Sequence, residues 1–80
     1  ADEPKISAAE LRQARKDMDR LDRQMGKVHD ELAALHEEMA TKADDYQALV
    51  HLQTKANELD ARMTSLEEQW LETADIVEDQ

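Results

Sequence analysis

Eighty residues with no cysteine, no phenylalanine, one tyrosine and one tryptophan form at most one small domain and exclude disulfides and thiolate metal sites. Hydrophobic residues, mostly Leu, Ala and Met, make up 40% of the chain, too many for a disordered tail, while one Gly and one Pro leave it little besides long helices. The net charge is −10: residues 1–30 balance seven basic against seven acidic side chains, whereas residues 31–80 carry three and thirteen, so only the first part suits a phosphate backbone.

Ala1–Ile6 reads as a linker that Pro4 keeps out of a helix, with Ser7 completing the lead-in. Ser7 and Glu10 form a capping box that starts a helix at Ala8. From there apolar residues recur at Leu11, Ala14, Met18, Leu21, Met25, Val28, Leu32, Leu35 and Met39, in alternating steps of three and four. That is the seam of a coiled coil and predicts a helix over 8–40. Gly26 lies beside the seam and weakens the helix without stopping it. The pattern lapses over Thr41–Asp44, and Asp44 with Gln47 reads as a second capping box. A second helix is expected over 45–78, with Leu49, Leu52, Ala56, Leu59, Met63, Leu66, Trp70, Thr73 and Val77 as its seam. So short a turn between two long helices forces them antiparallel. The expected fold is all-α: an antiparallel two-helix coiled-coil hairpin over 8–80.

Two registers are open. A turn centred on Lys42 pairs Leu35 with Leu49, Leu32 with Leu52, Val28 with Ala56, Met25 with Leu59 and Ala14 with Trp70. It allows Glu31–Lys55 and Arg15–Glu67 ion pairs and sets Asp22 near Asp60. A one-heptad slip offers Glu31–Arg62 and Glu38–Lys55 instead, with a longer apical loop. The tight turn is preferred, because a cap at Asp44 leaves little room for a loop.

The same residues carry a family resemblance. Lys5-Ile6-Ser7 with Glu10-Leu11-Arg12, the turn segment Ala43-Asp44-Asp45-Tyr46, and the closing Leu66-Glu67-Glu68-Gln69-Trp70-Leu71-Glu72 resemble the C-terminal coiled-coil domain of ABC-F ATPases. The likeness runs from Lys5 to Glu78. It implies a cytoplasmic parent with two nucleotide-binding domains, acting on ribosomes in translation or antibiotic resistance, or on DNA in the Uup-like branch. ATP and magnesium would belong to that parent. This chain, with a single glycine, has no phosphate-binding loop, and no cofactor is expected in it. The acidic second half departs from what a DNA-binding version would want.

Arg12, Lys16, Arg20, Arg23 and Lys27 fall on one outward stripe of the first helix. The functional reading is a face for ribosomal RNA or DNA. The plainer one is a solvated flank of a charged coiled coil, since Asp17, Asp19 and Asp22 lie close and no aromatic residues interleave to stack on bases. His29 and His36, two turns apart, are too distant to share one metal ion, and no metal site is expected. The carboxylates of Glu37, Glu38, Glu67, Glu68 and Glu72 lie on a rod with no pocket to desolvate them, so no catalysis is expected. The methionines of the seam read as core filler. Trp70 reads first as packing into the seam, and second as an anchor for the nucleotide-binding domains of the same parent. With Leu71 and Ile76 it would form an apolar patch near the open end.

The absence of any apolar run of roughly 20 residues argues against a membrane span. A start at Ala fits a fragment of a cytoplasmic protein, the preferred reading, or a processed precursor exported as a hairpin. Function is therefore expected to be that of a non-catalytic interaction arm. The alternative is a structural or oligomerising coiled coil, a homo-oligomer built through Leu71, Ile76 and the seam edges.

Overall fold

A computed structural model describes residues 6–78; the linker read over residues 1–5, including Pro4 and Lys5, lies outside the described residues. Helix α1 spans Ala8–Thr41 and helix α2 spans Tyr46–Glu78. They pack side by side into a rod measuring 64 × 18 × 13 Å. The architecture is an antiparallel helical hairpin, with no strand among the described residues.

Local chemistry sets both ends of α1 and the start of α2. Ser7, in extended backbone, accepts a hydrogen bond from the Glu10 amide at 3.1 Å and satisfies one of the free donors of the first turn of α1. At the other end the Lys42 amide donates to both Glu38 and Met39 carbonyls, and the Thr41 hydroxyl donates to Glu38 as well. No glycine and no left-handed residue is needed to end the helix. The Asp45 amide then donates to the Lys42 carbonyl at 2.9 Å, closing a tight turn over Lys42–Asp45. The cap of α2 is Asp45, whose carboxylate accepts from the Ala48 amide at 3.1 Å, and not Asp44 as the sequence suggested. A cap needs its oxygen over the amide three residues on, and the Lys42–Asp45 turn puts Asp45 there.

Every seam position named from the sequence is buried or half-buried. The two rows of α1 differ, however. Ala14, Leu21 and Val28 are buried, while Leu11, Met18, Met25, Leu32 and Met39 are all half-buried. The centre of the core is Leu21, Val28 and Leu66, ringed by Met25, Leu32, Leu59, Met63 and Trp70. In α2, Ala74 is buried although the seam pattern names its neighbour Thr73. A straight α-helix drifts about 20° per heptad against a 3.5-residue repeat, so four heptads along α2 the next position has turned into the contact. Ala48, half-buried at the start of α2, is the same drift in the other direction.

The register differs from the preferred one. Helix α1 ends at Thr41 and α2 resumes at Tyr46, so the turn is centred between Ala43 and Asp44 rather than on Lys42, which shifts the opposing residue by three. Half a heptad is enough to exchange partners. Trp70 packs around Leu21 and Leu66, not against Ala14, which lies beside Thr73 and Ile76. Glu31 shares one cleft with both Lys55 and Arg62, but neither is within ion-pair distance. Among the described residues the ion pair that forms is local, Arg20–Asp17 at 3.6 Å; Arg15–Glu67 and Glu38–Lys55 do not form. Asp22 lines one cleft with Glu67 of α2, not with Asp60.

Candidate nucleic-acid interface

The basic stripe is built by periodicity alone. Steps of four, four, three and four keep Arg12, Lys16, Arg20, Arg23 and Lys27 on the outer quadrant of α1, opposite the seam. All five are exposed. From Arg12 to Lys27 the stripe runs about 22 Å at 1.5 Å per residue. That length of duplex presents about a dozen phosphates, so five cations have partners within reach. Arg20 is tethered to Asp17, which also accepts from the Gln13 side-chain amide at 3.0 Å. Arg12, Lys16, Arg23 and Lys27 make no ion pair within 4 Å among the described residues.

The stripe is not confined to α1. It leans toward one edge of the rod, where Lys27 lines a cleft with Gln24, Val28, Glu31, Leu59 and Arg62. Arg62 comes from α2, and only the slipped register gave it a role, in an ion pair with Glu31 that does not form. Its position beside Lys27 follows only from the observed register. Lys55 lies one cleft further toward the turn, with Glu31, Leu35, Glu58 and Arg62. The two cationic side chains α2 holds after its start therefore extend the same edge on which the stripe ends.

The apolar patch divides. Trp70 and Leu71 line one cleft with Asp22, Met25 and Glu67. Ile76 lines another, with Ile6, Glu10, Gln13, Ala14, Asp17 and Thr73. In a heptad these are opposite edges of the seam, so Ile76 does not join Trp70. The Trp70 indole Nε1–H is buried and has no hydrogen-bond partner among the described residues. His29, His36 and His51 are exposed, and among the described residues no three His, Asp or Glu side chains converge as metal ligands would. No described helix is long and apolar enough to cross a membrane. No family model, curated protein or solved structure matches the chain.

Proposed function

We propose that this hairpin is a non-catalytic interaction arm that contacts RNA or DNA phosphates through the outer face of α1, the role implied for the C-terminal arm of an ABC-F ATP-binding protein acting on ribosomes or DNA in the cytoplasm. The observation that carries the reading is the placement of the cations. Five exposed basic side chains lie on one outward face of α1, and four of them make no ion pair within 4 Å among the described residues. A rigid helix holds such a row at fixed spacing and loses little entropy when it meets a phosphate backbone. ATP and magnesium belong to the nucleotide-binding domains of the parent in this reading, and the arm positions that parent on its target.

The test is binding of labelled duplex DNA and of an RNA stem at low salt. The wild-type arm binds both weakly and without sequence preference, because the acidic α2 reduces the net attraction. Changing Arg20 and Arg23 together to Glu abolishes binding and leaves helicity intact, since both lie outside the seam. Equal binding by the double variant would refute the reading.

A second reading, a structural or oligomerising coiled coil, has an observation of its own. The row Leu11, Met18, Met25, Leu32 and Met39 is only half covered by α2, as if another helix were to complete it. Sedimentation at several protein concentrations separates the two: the arm stays a monomer, the oligomer does not.

A further inference from the structure

The register assembles a second surface at one edge of the seam, apart from the basic stripe. Asp22 of α1 and Glu67 of α2 stand on the rim of one cleft, over a floor of Met25, Trp70 and Leu71. Both carboxylates are exposed, and neither makes an ion pair within 4 Å among the described residues. Leu71 is 60% exposed, a large apolar side chain left in water on a chain rich in charge. No lining residue is basic, and no Lys or Arg follows Arg62 in α2, so the charges on the cleft itself are both negative.

Three elements of cation recognition thus line one cleft: two exposed carboxylates with no ion pair within 4 Å among the described residues, the indole of Trp70, and the apolar side chains of Met25 and Leu71. Two carboxylates on one cleft with no cation beside them attract a cationic side chain from outside. The face or edge of Trp70 adds attraction for a Lys or Arg head, whose alkyl stem covers Met25 and Leu71.

We propose that this cleft docks a basic amphipathic helix of a protein partner, with one large aliphatic side chain on the Met25–Trp70–Leu71 floor and Lys or Arg side chains set between Asp22 and Glu67. Nucleic acid is excluded by the sign of the charge. A second copy of this chain fits poorly, because its own cationic row, Arg12 to Lys27 on the outside of α1, has no large apolar residue among the cations to fill the floor. The docking edge and the phosphate-facing stripe are distinct, so the arm is able to hold a basic protein and a nucleic acid together, and each surface fails or holds by itself.

Trp70 is the sole tryptophan and reports directly on the cleft. The experiment titrates the full chain with a synthetic tryptophan-free helix of Leu, Ala and Lys, leucines on one face and lysines flanking them, and follows Trp70 emission. A parallel titration uses the same peptide with Glu for Lys. The lysine peptide produces a saturable, one-to-one change in emission, and the glutamate peptide does not. The double substitution Asp22→Asn and Glu67→Gln weakens binding by about tenfold or more, whereas Glu37→Gln with Glu38→Gln, which removes the same charge elsewhere, changes it by less than about twofold. Asp22 and Glu67 are exposed and outside the core, so the variant stays folded, which its thermal melt verifies. Equal binding of the glutamate peptide would mean a merely greasy surface. An equal loss in the Glu37/Glu38 control would mean diffuse charge attraction. Either result, or an emission that never saturates, overturns the proposal.

Discussion

At the scale of single residues the hairpin holds side chains whose roles are set by their place on the wheel. Gly26 is the simplest. Its position is exposed, its φ is negative, and a methyl group added there meets no atom within 4 Å. Nothing in the fold needs a glycine, so Gly26→Ala removes unfolded-state freedom and raises stability by about 0.5–1 kcal/mol, readable as a higher Tm. A lower Tm would mean that the methyl group meets something the hairpin does not show. Residue types and their periods were the most legible level of the sequence: all eighteen seam positions are buried or half-buried. Ala74 was not legible, because a strict heptad count ignores the slow rotation of a straight helix. The grouping of Ile76 with Trp70 failed for a related reason. Six residues apart on a helix are far apart around it, and proximity along the chain misled.

At the scale of the elements, caps and turn decide where each helix stands. Asp45 carries the cap of α2, so Asp45→Ala costs about 1 kcal/mol and lowers the Tm by about 4–8 °C for a domain of this size. Asp44→Ala is expected to change the Tm by no more than a degree or so, since its side chain makes no hydrogen bond among the described residues. The reverse ranking in a pair of thermal melts would move the turn back to the register preferred from the sequence. The cap is one part of why the register was not legible. Both Asp44 and Asp45 satisfy the chemistry of an N-cap, and with α1 running on to Thr41 the centre of the turn moves from Lys42 to between Ala43 and Asp44, which shifts the partners along α2 by three. Ion pairs did not arbitrate, because long side chains at the seam flanks reach several partners and exposed pairs are worth little. Glu31, offered Lys55 by one register and Arg62 by the other, lies beside both and grips neither.

At the scale of the whole molecule the fold depends on one strip of contact between two helices, with no second layer to share the load. Leu21 is 2% exposed and lies at the centre of the core with Val28 and Leu66. Leu21→Asp buries a carboxylate with no partner and is expected to abolish the cooperative melt in circular dichroism, leaving a gradual loss of helix. Leu32→Asp, at a half-buried position, gives a smaller effect. A cooperative melt unchanged in Leu21→Asp would contradict the hairpin packing. On this rod the cations lie on the outside of α1 and at the edge shared with Arg62, with Asp17 and Glu31 among them, while the Trp70 cleft is lined by carboxylates and no cation. The central claim is that the outer cations meet phosphates, and its most direct measurement is the dependence of duplex affinity on salt. Five cations neutralising five phosphates predict that log K falls against log salt with a slope of about −4.5. A slope near zero, or no binding even at low salt, would make the stripe a solvated flank and leave this arm a spacer or a protein-docking element.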